Sequence, residues 1–169
     1  MDFRLVTAIR QNHALEHATV SELVRRLGPH ISVIGRATAS GFYIYGDLPT
    51  RAVEEAAKEG LRRMQRGESE LAISPLCGTN IVVAGIMTGL TTALSLGRKN
   101  RLRHLPRAMM AATLSLVAAR PLGRLAQKHL TTISDLSGVA IVGVQRSERG
   151  GHVYHKIETA RPPTAGQRP

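Results

Sequence analysis

A chain of 169 residues with 43% hydrophobic content, only 3% aromatic and no tryptophan makes one domain, or a small domain with an appendage, and its core must come from Ala, Val, Ile and Leu. The 23 Lys and Arg against 12 Asp and Glu give a net charge of +11, which favours an anionic partner, either nucleic acid or anionic lipid. The single cysteine, Cys77, excludes an internal disulfide and so removes any need for an oxidising compartment.

The opening segment MDFRLVTAIRQNH has no cationic lead before an apolar run, so no cleavable signal peptide is expected. Residues 3 to 27 read as a helix stopped by Gly28-Pro29. ISVIGRATASGFYIYG (31 to 46) reads as two strands around TASG, a hairpin. Thr50 is expected to cap a second helix that ends near Gly67, with Glu54, Glu55, Lys58 and Glu59 on its solvated face. A short strand, ELAIS, then leads into PLCGTN.

Residues 81 to 97 hold seventeen consecutive uncharged positions, close to the roughly 20 apolar residues that a spanning helix needs. The basic loop RKNRLRHLPR follows, in which His104 reads as a solvated member of a lipid-headgroup patch. A second apolar run spans 108 to 119 and is interrupted by Arg120-Pro121, although snorkelling arginines would let it continue. Gly85, Gly89, Ala111, Ala112 and Ser115 are small enough for close helix contact in lipid, so the pair reads as a helical hairpin. Neither interface carries Trp or Tyr, and positive charges flank both sides in similar number, so the positive-inside rule leaves orientation open. The other reading is a pair of buried helices in a soluble oligomer.

VAIVGVQ and HVYHKIE read as strands joined by SERGG, with His152 and His155 on opposite faces. The Pro-rich tail from 159 to 169 reads as disordered. No internal repeat is found.

The first helix poses the chemical question. At about 100° per residue, Leu5, Ile9, Val20, Leu23, Val24 and Leu27 share one side, with Thr7, Gln11, Glu22 and Arg25 opposite. His13 and Glu16 fall near the centre of the apolar stripe and His17 on its margin. Titratable groups on a buried face must have partners. Histidines at i and i+4 point the same way, roughly 5–6 Å apart at Cβ, which suits two ligands of one tetrahedral zinc. Glu16, on the same side, is placed to act as general base on a metal-bound water.

This H-x-x-E-H order resembles the inverzincin signature of the insulinase and pitrilysin peptidases. The resemblance implies His13 and His17 as zinc ligands and Glu16 as the base. It covers five residues. Those peptidases add a distant Glu ligand, and the corresponding distance here lands in the acid-free apolar run. Cys77 is the first candidate for a third ligand, with His129 and Asp135 next. The competing view of Cys77 is a small buried hydrophobe, and of the His/Glu group a hydrogen-bonded structural cluster.

RQNHALEHATV, SPLCGTN and RPLGRLAQKHLTT with its following Asp135 are similar to an uncharacterised family of small bacterial membrane-associated proteins. Its members open with the same HALEHAT segment and carry two apolar helices later. The likeness runs from about residue 9 to residue 145 and implies membrane residence and a shared site, without an activity.

The expected architecture is α+β. A small sheet, made of the hairpin, the strand near 70 and the C-terminal strands, packs on two helices and carries an inserted apolar, transmembrane helical hairpin. Its parts are residues 1–79, 80–125, 126–158 and the tail 159–169. Three functions compete. The first is a membrane-associated zinc hydrolase of peptidase type, its soluble part cytoplasmic, on anionic lipid and compatible with a homo-oligomer. The second is a non-catalytic membrane scaffold. The third is a basic nucleic-acid binder, ranked last because the cations are scattered and the few aromatics lack the spacing of a stacking platform.

Overall fold

The computed structural model describes residues 3–97 and 101–161. Residues 98–100, the first three of the expected basic loop, and 162–169, most of the expected tail, lie outside the described residues. The fold is α+β, in two compact units: residues 1–73 with 132–169, and residues 74–131.

The first unit starts with helix α1, Phe3–Leu27, closed by Gly28 at φ 94°. Strands β1 (Ile34–Thr38) and β2 (Gly41–Tyr45) form the expected hairpin, and α2 spans Thr50–Gln65. After a gap in sequence come β3 (Ala140–Arg149) and β4 (His152–Ala160), joined through Gly150 and Gly151, both at positive φ. The four strands form one antiparallel sheet in the order β1-β2-β4-β3. β4 runs through Ala160, past the expected boundary at 158. It is followed by Arg161, which donates to the Gln11 and Asn12 side-chain oxygens at 2.8 and 3.0 Å and to the Ala8 carbonyl at 3.1 Å.

Alternation decides which face the sheet buries. Phe42, Ile44, His155 and Ile157 point inward, and Tyr43, Tyr45, Tyr154 and Lys156 point outward. The inner side chains meet Leu15 and Leu23 of α1, Val53 and Met64 of α2, and Leu136 and Val139. Helices α1 and α2 cross closely at Gly60, where a Cβ would come 3.1 Å from both the carbonyl carbon and the Cβ of Ala18. A side chain there would have to push Ala18 back by a few tenths of an ångström.

Three sequence expectations give way here. ELAIS is a 3-10 turn (Ser69–Ala72), not a strand, so the sheet is built from the two hairpins alone. Thr50 opens α2 without capping it: Pro49 occupies the cap position, and the Thr50 hydroxyl meets His155 Nε2 at 3.3 Å. The stripe on α1 is also displaced. Leu5, Ile9 and Leu27 are exposed, whereas Glu22, expected in solvent, is fully buried. From Asn12 to Val20 every residue except His13 is buried, because sheet and α2 cover α1 from different sides and leave no solvent face in its middle turns.

Glu22 is tolerated because cations surround it. Its Oε2 accepts from Arg25 Nε and Nη2 at 2.9 and 2.6 Å, and Oε1 accepts from Arg63 of α2. Burial pushes this carboxyl up, but the hydrogen bonds and charges of Arg25 and Arg63 outweigh it and hold the group below the usual carboxylate range.

The second unit is a helical hairpin of α3 (Gly78–Leu96) and α4 (Arg101–Ala126), followed by a π turn, Gln127–Thr131. α3 is 19 residues long, with mean hydropathy 1.5 and no buried residue, and is long and apolar enough to cross a membrane. The apolar run that Arg120-Pro121 interrupts in sequence lies within one helix: α4 continues through both Pro106 and Pro121. Gly85 and Gly89 were expected at the helix contact, yet both face open space. Ser115, expected there, is buried, together with Ala108 and Ala119. Thr91 and Ser115 hydroxyls meet across the pair at 2.8 Å. At the open end, buried Gln127 accepts from the Ser74 N–H at 2.8 Å and donates to the Ser74 carbonyl and to Asn80 Oδ1 at 3.0 and 2.9 Å.

Candidate functional site

The middle of α1 gathers the residues that the sequence nominated. The His13 and His17 rings lie edge to face, centroids 4.4 Å apart and planes 62° apart, as one helical turn dictates. His17 is buried. Its Nδ1 stands 2.7 Å from the Ala72 carbonyl oxygen. A carbonyl only accepts, so Nδ1 carries a proton, and in the neutral ring the lone pair is on Nε2. That Nε2 is buried and has no hydrogen-bond partner among the described residues. The same arrangement, one nitrogen donating to a carbonyl and the other held bare, fixes the tautomer and ring of a ligating histidine.

Glu16 lies between the two rings in sequence and beside them in space, its Oε2 3.9 Å from His13 Nε2. Burial pushes its carboxyl up to about 7, against the opposing pull of His13. Space for it comes from β1: a Cβ at Gly35 would lie 1.8 Å from Glu16 Oε1. The 3-10 turn over 69–72 supplies the Ala72 carbonyl that His17 meets.

Cys77 belongs to the second unit, where it is buried at the N-cap of α3 and its sulfur accepts from the Thr79 N–H at 3.4 Å. His129 is exposed in the π turn of that unit. Asp135, in the first unit, is exposed and closes its own turn: Oδ1 accepts from the Ser137 N–H at 2.9 Å and hydroxyl at 2.6 Å, which holds its carboxyl below the usual range. The first unit therefore brings His13, Glu16 and His17 together, and leaves Asp135 engaged elsewhere.

Residues 8–144, from the second turn of α1 through α2 and the hairpin unit to the start of β3, match a family described as "Domain of unknown function (DUF6391)". The chain belongs to the DUF6391 family. An uncharacterized protein of Picosynechococcus sp. is 35% identical over 160 residues, covering 88% of this chain and 78% of that one. No solved structure matches. Membership of an uncharacterised family is what the sequence pointed to, and the family's description assigns no chemistry.

A second group of residues escaped the sequence reading. All three tyrosines of the chain stand together on the outer face of the sheet, ring centroids 5.8 to 6.2 Å apart. Register brings together aromatics that are scattered in the sequence: Tyr43 and Tyr45 share a face, and Tyr45 pairs with Tyr154 across β2 and β4. The alternation in GFYIY and HVYHKIE was a legible signal, but the pairing of two strands over a hundred residues apart was not.

Proposed function

We propose that this chain is a membrane-associated zinc-site protein, acting as a metal-dependent hydrolase of peptidase type on α1. His13 and His17 would be ligands, Cys77 the third donor and Glu16 the general base. The observation that carries the reading is the state of His17: Nδ1–H is committed to the Ala72 carbonyl, and Nε2 is buried with its lone pair unused. Leaving a buried nitrogen without a partner costs free energy unless something else claims it. A soft, tetrahedral site of imidazole and thiolate favours zinc over magnesium or calcium. Zinc, when bound, supplies Lewis acidity. The protein contributes the fixed imidazoles, a carboxylate held against Gly35 to take a proton, and a largely dry surrounding.

Membrane residence is supported by α3, by the exposed apolar side chains along both helices of the hairpin, and by a cavity of about 610 Å³ in that unit. Arg120 and Arg124 line it beside Ile81, Ala84 and Leu116, a setting suited to an anionic headgroup with its acyl chain. The soluble unit is assigned to the cytoplasm.

Metal analysis of the purified full-length protein tests the reading. About one zinc per chain is expected, lost in His13→Ala and His17→Ala and kept in Glu16→Gln, which should lose hydrolysis of a casein or peptide-library substrate. Cobalt substitution should give a thiolate charge-transfer band that Cys77→Ser abolishes. A folded, metal-free protein whose stability ignores chelator leaves the His/Glu group as a structural cluster in a scaffold.

A further inference from the structure

We propose that the outer face of the sheet in the first unit is a binding platform for single-stranded nucleic acid, independent of the residues on α1. The tyrosine rings carry the argument. Tyr43 and Tyr45 lie nearly parallel, 27° apart, and Tyr154 tilts against both, so the three form one continuous aromatic surface. They line a cavity of about 510 Å³ together with Arg36, Thr38, Arg149 and His152, and no carboxylate lines it. That volume lies within the range of small-ligand pockets.

Charge and shape select the occupant. Arg36 and Arg149 are exposed at opposite sides of the rings, and among the described residues neither guanidinium has a carboxylate partner. By contrast, Lys156 on the same face is tied to Glu158. The surface therefore offers stacking planes flanked by two uncommitted cations, which matches a chain of bases linked by phosphates. Duplexes hide their base faces within their own stack. Lipid headgroups answer the arginines but present no ring to the tyrosines. The net charge of +11 adds a long-range pull on any polyanion.

The test uses full-length protein in nanodiscs of neutral lipid and a fluorescein-labelled oligouridylate of about eight nucleotides. Anisotropy should show binding that a duplex of equal length competes poorly. Tyr45→Ala and Tyr154→Ala should each weaken it roughly tenfold, whereas Tyr45→Phe and Tyr154→Phe, which keep the stacking plane and the fold, should bind normally. Arg36→Ala with Arg149→Ala should flatten the salt dependence of binding by about 0.7 per lost phosphate contact. Because every tyrosine of the chain is on this face, bound oligonucleotide should also shield all three from nitration by tetranitromethane, read by mass spectrometry in the unaltered protein. Equal affinity for duplex and single strand, or unprotected tyrosines at saturating oligonucleotide, overturns the proposal. So does displacement of the oligonucleotide by phosphatidylglycerol vesicles whose own binding needs Arg36 and Arg149 but not the rings.

Discussion

The carboxylate of Glu16 rests against the bare Cα of Gly35, so close that a methyl group there would fall 1.8 Å from Oε1. A glycine on an ordinary strand position thus fixes where Glu16, the buried acid beside His13 and His17, can sit. Gly35→Ala must displace the Glu16 side chain into a surround that is closely packed, at a cost of about 1–3 kcal/mol. Glu16→Ala removes the obstacle, so the double variant should lose less than the sum of the single ones. A urea-denaturation cycle of the four proteins checks this; strict additivity would mean that Glu16 does not occupy the space in front of Gly35.

Glu22 shows how a charge survives in a core. It is fully buried and accepts hydrogen bonds from Arg25 and Arg63, the latter bridging α1 to α2. Glu22→Gln keeps the size but loses the charge-assisted bonds, and should cost about 2 kcal/mol in urea unfolding. The native carboxyl lies below its ordinary value of 4.5. Its contribution is therefore complete above 4.5 and disappears as pH falls through the lower, folded value. In acid the stabilities of wild type and Glu22→Gln should converge, and a gap that persists unchanged would contradict the pairing.

His155 predicts loss of stability in a higher range of pH. It is fully buried on the inner side of β4, with Nε2 3.3 Å from the Thr50 hydroxyl and Nδ1 lacking a hydrogen-bond partner. Burial first, and the charge of Arg146 second, hold its imidazole below the ordinary 6.5, with Asp47 opposing. The unfolded chain thus takes up a proton before the folded one does. Stability linked to His155 is full above 6.5 and falls as pH drops through 6.5 toward the folded value. The difference between wild type and His155→Leu should shift in favour of the leucine variant between about pH 7 and pH 5. A pH-independent difference, or an NMR titration of the His155 ring at an ordinary position, would refute the assignment.

How far the sequence could be read follows from which signals are local. The limits of α1 and the presence of both β-hairpins and of the apolar helix pair were legible, because caps, breakers and turns act over a few residues: Gly28 ends α1, and a turn joins β3 to β4. β3 nevertheless runs on through Arg149, and only Gly150-Gly151 of the expected SERGG turn remain outside the strands. The His13–Glu16–His17 grouping was legible for the same reason, since helical periodicity alone brings those side chains together. What failed depends on distant partners. The burial of Glu22 needs Arg63 from another helix, and the tyrosine cluster needs β2 and β4 in register. The 3-10 turn at 69–72 stands where a strand was expected, and its Ala72 carbonyl meets His17, 55 positions away.

In the hairpin unit, the hydroxyls of Thr91 and Ser115 meet at 2.8 Å, and each also lies 2.8 Å from a carbonyl of its own helix, Met87 and Ala111, so one hydroxyl donates across the pair and the other donates to its own helix. Each hydroxyl has an alternative within its own helix, so loss of the cross-helix bond strands no polar group. The expected cost of Ser115→Ala is accordingly small, about 0.6 kcal/mol, measured by unfolding in mixed micelles. Packing should matter more at the same seam. Ser115 is buried between Ala108 and Ala119, one face of α4 made of small side chains. Ser115→Leu should push the helices apart and cost about 1–3 kcal/mol. If the leucine variant were as stable as the alanine one, α3 and α4 would not be in contact along this face.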